Sequence, residues 1–391
     1  MATPQDHLPP PIPSSTITSL VTSLSFPAPS TITTLPASAS FHSIYLLHYP
    51  ASHRSILQTP HPVRPVHANP DDSITLILRI SGNHIARTKT ANEVGIMTWL
   101  RQHTGIPVPA ILRYDTSQNN ILQREYTLLE KIPGRSVDTI YKTLNEETKG
   151  LLVQQLTDIL VELNSHSWNH IGGLQLIDEE IVPGPVLEDT FWLVPDIQTY
   201  WTSESVDSLN PAGPYSSHGD YLAGYLTCFI HAINNHESLS WIQHITPRLV
   251  ALISNLPTMD LSTKLILAHK DLHFANVMAT DDGDITGILD WEFAGVVPAL
   301  RWDPVRAFLW SGEYTDDAHA EKNRLRRTFE AELRERGVEM WWDGASDAVE
   351  AVWEVVRFMR AIVEVCPKGQ KKDAAVGWAN SAKQALSKLG V

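Results

Sequence analysis

The chain has 391 residues, 43% apolar and 19% charged, with a formal net charge of −14. That length can bury a sizeable core, and the composition is that of a globular protein, not a disordered or fibrous one. The acidic balance argues against nonspecific binding to nucleic acid or an anionic membrane and is compatible with a cationic partner.

Residues 1–14 are Pro-rich and read as disordered, and the segment 1–30 as a whole is expected to be poorly ordered. It lacks the positive start and apolar core of a signal peptide. Residues 31–81 read as strands interrupted by a Pro/His-rich insert at 60–72, whose His61 and His67 suit a surface loop. SITLILRI alternates as a half-buried strand. Residues 90–104 fit a helix with Val94, Met97, Trp99 and Leu100 as its apolar stripe, closed by Pro107 and Pro109. Strand pattern returns at 121–132. Pro133-Gly134 then marks a boundary between a first unit, 31–133, and a second, 134–391.

The clearest helix spans 145–166, where Leu151, Leu152, Leu156, Ile159, Leu160 and Leu163 recur at helical spacing. Residues 171–215 hold few long elements; their Trp192, Tyr200, Trp201 and Tyr215 suit core packing or stacking on a flat ligand. Helices are expected at 220–254, 317–337 and 345–365. The charge run 321–336 reads as a solvated helix face. Cys228 and Cys366 are too few for a disulfide framework. No run reaches the ~18 apolar residues of a membrane span. A cytoplasmic, reduced location is the default expectation.

The most informative stretch is AHKDLHFAN, residues 268–276, which sets His269, Asp271 and Asn276 in the order His-x-Asp-x-x-x-x-Asn. Asp290 follows in GILDWEF. Phosphoryl transfer uses this set: an Asp that takes a hydroxyl proton, and an Asn and a later Asp that hold Mg²⁺. The chemistry needs charge neutralisation and positioning more than covalent help, and a hard cation wants oxygen ligands. KLILAH reads as a strand, and NVMAT and ITGIL flank the Asp-Gly hairpin signal of DDGD. Asn276 then begins one strand and Asp290 ends its partner, so both converge at one end of the hairpin. His269 is expected to support the loop. His269 and His273 stand four apart like zinc-protease ligands, but Lys270 occupies the position where that motif needs Glu, and the flanking run is strand.

HKDLHFAN and ILDWEF resemble the catalytic motifs of the aminoglycoside phosphotransferase and choline kinase-like family. Similarity extends to NEVGIMTWLRQHTGIPVPAIL (92–112), YTLLEKIPGRSV (126–137), GPYSSHGDYL (213–222) and the AGVVPAL stretch, as in the large fungal branch. The resemblance implies an α+β, two-lobed protein-kinase-like fold, with a small antiparallel lobe over the nucleotide and a larger helical lobe carrying the substrate pocket. It implies ATP and Mg²⁺ as cofactors and a small-molecule hydroxyl as acceptor. It assigns Asp271 as base, Asn276 and Asp290 to metal, and Arg79, Glu93, Ser38, Ser40 and Glu130 to the nucleotide. Three departures stand out. Arg79 replaces the usual phosphate-binding Lys. The loop LPASAS (35–40) has no glycine, the first glycine of the chain being Gly82. Lys270 replaces the glycine beside the base. These departures leave open a second reading, a kinase-like nucleotide- or small-molecule-binding protein with little or no turnover.

Overall fold

Period-two alternation builds the first lobe. In β2 (His42–Tyr49) and β3 (Ile74–Ser81), Tyr45, Leu47, Tyr49, Ile74, Leu76, Leu78 and Ile80 face one side, while Ile44, Leu46, Ile77 and Arg79 face the other. β1 (Thr31–Thr34), β4 (Ile111–Asp115) and β5 (Tyr126–Glu130) complete an antiparallel sheet in the order β1-β2-β3-β5-β4. The computed structural model describes residues 8, 10–35, 41–57, 66–304 and 307–391.

One face of the sheet is covered by α1 (Ser14–Ser23), which buries Ile17, Leu20 and Val21 against Tyr45, Leu47, Leu76 and Leu78. Within the segment 1–30, expected to be poorly ordered, residues 14–23 are thus an ordered helix. The prolines end at Pro13, and Ile17, Leu20 and Val21 fall at i, i+3, i+4. The opposite face meets α2 (Thr88–His103) through Ile96, Met97 and Leu100. The strand expected over 121–132 is confined to β5; Asn120 makes a turn before it, accepting from the Leu122 N–H and donating to the Arg124 carbonyl. β4 had no place in the sequence reading.

Gly134 joins the lobes at φ +94°, and a Cβ there would strike the Ala279 carbonyl. β6 (Arg135–Ser136) already belongs to the second lobe, pairing with its hairpin. After α3 (Val137–Ile140) comes α4 (Glu146–Ser165), capped by the Asn145 side chain, which accepts from the Thr148 N–H at 2.8 Å. β7 (Gly173–Ile177) and β8 (Glu180–Gly184) form a hairpin against α2, and short α5 (Val194–Tyr200) and α6 (Val206–Leu209) follow. α7 (His218–Asn235) and α8 (Thr246–Asn255) lead to β9 (Leu265–Ala268). β10 (Val277–Ala279) and β11 (Ile285–Ile288) form the expected hairpin, and β12 (Gly295–Pro298) returns to pair with β9.

The chain ends in α9 (Asp316–Glu335), α10 (Asp347–Val365) and α11 (Lys372–Lys388). α9 buries Leu325, Phe329 and Leu333 and pairs its charges on the outer side, as the charge run implied. The molecule is thus a two-lobed α+β fold, and the loop between β9 and β10 sits at the junction of the lobes. No helix among the described residues is long and apolar enough to cross a membrane.

Candidate functional site

The loop from 269 to 276 is held from beneath. His269 is fully buried; its Nε2 donates to the Leu289 carbonyl at 2.8 Å, which leaves Nδ1 to accept from the Asp271 N–H at 3.3 Å. Burial lowers its pKa, consistent with this neutral tautomer. Its ring lies 4.5 Å from that of buried Trp291. Lys270 adopts φ +69°, a left-handed conformation that suits the glycine of related motifs. Its ammonium donates to the Leu187 carbonyl at 2.6 Å and lies 3.2 Å from Glu188. It is therefore a strut of the loop wall, not a solvated charge.

Asn276 donates from Nδ2 to the Asp271 carbonyl at 2.9 Å, and its Oδ1 has no partner among the described residues. The Asp271 carboxylate opens on the cleft with His273 Nε2 at 3.5 Å. The hydrogen bond to His273 holds its pKa below the usual carboxylate range against the opposing effect of burial, and the same contact raises the pKa of His273.

Asp290 leaves β11 at φ +66°. Facing it, Arg79 projects from the cleft side of β3 and makes an ion pair with Glu93 of α2. A second arm of Arg79 reaches Asp290 Oδ1 at 3.1 Å, and Glu292 lies 3.8 Å away. Burial disfavours the Arg79 cation, but Glu93, Asp290 and Glu292 outweigh it and its pKa lies above the ordinary value. Beneath this sits Lys89, 2.6 Å from Glu292 and as buried as Glu93. Burial raises Glu292 to about 7 against the pull of Lys89. His42 touches both Arg79 and Lys89, and burial with these two cations keeps it neutral. Lys89, Glu292 and His42 had no role in the sequence reading.

A cleft of about 1500 Å³ runs between the lobes. Asp271, Asn276, Asp290, Arg79 and Glu93 all line it. Ile44, Leu46, Ile77, Leu129 and Met278 give its inner end apolar walls. Ser38 and Ser40 lie outside the described residues, as does His61. Glu130 borders the cleft, but its carboxylate is committed: it accepts from the His67 N–H at 2.7 Å and the Ala110 N–H at 2.9 Å, with His67 Nδ1 at 2.5 Å. Trp192, Tyr200, Trp201 and Tyr215 pack into the second lobe's core. The aromatics that reach the cleft are Phe41, Tyr225, Phe293, Trp302, Trp342 and Trp353.

Among the described residues no three His, Cys, Asp or Glu side chains converge as a metal cage. The donor set of Asp290 and Asn276 suits Mg²⁺, which binds through one or two protein oxygens and completes its shell with phosphate and water. It does not suit zinc, since both His269 nitrogens are engaged within the protein.

The signature of the phosphotransferase enzyme family (APH) matches residues 64–338. The chain belongs to this family. Among curated relatives, clavilactone A biosynthesis cluster protein Y of Ampulloclitocybe clavipes is 24% identical over 250 residues, 61% of this chain and 56% of that protein. A subtelomeric hrmA-associated cluster protein of Aspergillus fumigatus is 30% identical over 122 residues, 27% of this chain and 23% of that protein. The chain thus spans little more than half the length of the first relative and about a quarter of the second. Similar solved structures include the streptomycin–ATP complex of APH(2")-IIa, 12% identical with a TM-score of 0.48 over 96% of this chain and 97% of that one. Aminoglycoside phosphotransferase APH(4)-Ia is 13% identical, with a TM-score of 0.48 over 96% and 99%.

Proposed function

We propose that the protein is an ATP- and Mg²⁺-dependent kinase that phosphorylates a hydroxyl group of a small molecule. The observation that carries this reading is the convergence of the Asp271 carboxylate, the unpaired Asn276 Oδ1 and Asp290 on one cleft whose inner end is apolar. Family membership supports phosphotransfer in general.

In this reading Asp271, whose pKa His273 holds below the usual carboxylate range, accepts the proton of the acceptor hydroxyl. The loop that carries it is fixed by His269 and Lys270, so the carboxylate is aimed before the acceptor arrives. Asn276 and Asp290 hold the metal. Mg-ATP, when bound, supplies the phosphoryl group and the metal charge that neutralises it. Arg79, kept in place by Glu93, presents guanidinium N–H groups to phosphate oxygens, a role its planar fork suits. The apolar walls take the base of the nucleotide.

The test is Asp271→Asn, a nearly isosteric change. It should lower kcat by about 10²- to 10⁴-fold, the range for loss of a general base, with an unchanged melting temperature. Asp290→Ala should weaken Mg-ATP in calorimetry. Turnover of Asp271→Asn at the wild-type rate would remove Asp271 from the mechanism. The competing reading, binding without turnover, draws on the contact of Arg79 with the metal residue Asp290. It predicts a Mg-ATP thermal shift with no ADP release for any hydroxylated acceptor.

A further inference from the structure

Lining the cleft is a cation, Arg301, with no counterion among the described residues. Arg301 follows β12 and is half-buried, with its guanidinium stacked 4.6 Å above the ring of Trp353 on α10. Both residues line the cavity. Among the described residues, no carboxylate or carbonyl oxygen lies within hydrogen-bonding reach of this guanidinium, although its charge is felt by Tyr221 and Tyr225 of α7. Arg357, one helical turn beyond Trp353, also lines the cavity; its guanidinium stacks on Phe358 and has no acidic partner among the described residues.

Two of the neighbouring carboxylates are matched elsewhere. Glu188 lies 3.2 Å from Lys270, and Glu354 is 3.2 Å from Lys388. Asp189, Asp343 and Glu350 also line the cavity with no ion pair among the described residues, Glu350 one turn before Trp353 on α10; burial, then Glu188 and Asp271, raise the pKa of Asp189. A guanidinium has five donors and no acceptor, and leaving them unsatisfied in a half-buried wall is costly. Stacking on an indole fixes its plane while leaving the in-plane donors free for a forked acceptor.

We propose that Arg301, braced by Trp353, binds an anionic group of the acceptor, a carboxylate or a phosphate, while the hydroxyl to be phosphorylated faces Asp271. The acceptor is then an anionic molecule with a flat apolar body beside Trp353, in contrast to a polyamine. This inference rests on the phosphotransferase reading only for the hydroxyl; the anion site stands on the Arg301 geometry alone.

The test uses the full chain and four probes that share a benzylic hydroxyl: 4-(hydroxymethyl)benzoate, its methyl ester, 4-(hydroxymethyl)phenyl phosphate and 4-(hydroxymethyl)benzylamine. Calorimetry should give a dissociation constant for at least one anion about tenfold or more below those of ester and amine, the scale of one charge-assisted forked contact. Preference between benzoate and phosphate identifies the source of the anion. R301L should erase the preference, and R301K should keep part of it through charge without the fork. If R301L does not fold, R301K carries the test, with an expected loss of at least about threefold for the preferred anion. Equal binding of ester or amine, an unchanged preference in these variants, or no anion binding at millimolar concentration would overturn the proposal. ADP release is followed on the same panel. Anion preference without ADP release upholds the Arg301 site and counts against the kinase reading; ADP release indifferent to the anion does the reverse.

Discussion

Replacing Arg79 by methionine should destabilise the protein more than any other single change around the cleft. The side chain is 12% exposed and serves Glu93, 1% exposed, together with Asp290, 37% exposed. These contacts have different weights. Breaking a buried pair by removing one partner costs about 3–5 kcal/mol, because the remaining charge is stranded. The Asp290 contact is partly solvated and contributes about 0.2–1 kcal/mol. Arg79→Met should therefore cost about 4 kcal/mol, nearly all of it through Glu93 and Glu292. Arg79→Lys keeps a cation beside Glu93 but loses the arm that reaches Asp290 and His42, and should cost about 1–2 kcal/mol, the loss of a charge-assisted hydrogen bond. Glu93→Gln should cost less than Arg79→Met, because Arg79 still faces two carboxylates. Urea unfolding at neutral pH measures all three. A cost of about 1 kcal/mol or less for Arg79→Met, or a larger one for Glu93→Gln, would refute the assignment of Arg79 as the shared counterion.

His273→Ala should shift the acid limb of the kcat/KM profile to higher pH, because His273 is the main cause of the lowered Asp271 pKa. The signs agree: the depressed Asp271 contributes stability that is lost as pH falls through its folded value, and the raised His273 contributes stability that is lost as pH rises through its own. An unmoved acid limb would show that the contact does not control the base. Lys270→Gly should change stability by less than about 1 kcal/mol, since relief of the left-handed backbone offsets the lost hydrogen bond to Leu187; a cost above about 2 kcal/mol in urea would contradict this. Leu20→Ala should cost about 2–5 kcal/mol if α1 is an integral part of the first lobe, and almost nothing if it frays.

The parts of the fold that were legible were those with strong periodicity. β3 alternates cleanly, α4 carries a leucine stripe, and DDGD marks the β10–β11 turn, so Asn276 and Asp290 converge as their spacing implied. α11 escaped notice because its buried stripe is mostly alanine, Ala375, Ala379, Ala382 and Ala385 with Leu386, and alanine reads as neutral until a neighbouring helix covers it. α1 was hidden by the prolines before it. In the site, the pattern of HKDLHFAN was legible because its members are close in sequence. Lys89 and Glu292 are 203 residues apart, and Arg301 meets Trp353 across two helices. Such pairs carry no local signal. One clue was available: Lys89, Asn92 and Glu93 put three polar side chains on one face of a helix otherwise built for burial.

That face of α2 explains how the first lobe positions Asp290 of the second. Glu93 orients Arg79, which reaches Asp290; Lys89 holds Glu292 two residues on; and Asn92 donates to the carbonyls of Glu292 and Ala294 at 3.0 and 2.9 Å while accepting from the Leu174 N–H at 3.0 Å. The segment 290–294 has no regular backbone partners over most of its length and begins in a left-handed conformation, so it needs side chains to define its path. Helix α2 supplies them at i, i+3 and i+4, from an element that Gly95 lets approach β7 without clash against Leu174. Two of the three contacts are charged and buried, and buried polar contacts lose their value steeply when their geometry is disturbed. A displacement of α2 would therefore move Asp290 with it. Asn92→Ala tests this without altering charge: Asn92 touches neither Asp290 nor the cleft, yet on the proposed function its loss should weaken Mg-ATP binding in calorimetry, and an unchanged affinity would separate α2 from the placement of Asp290.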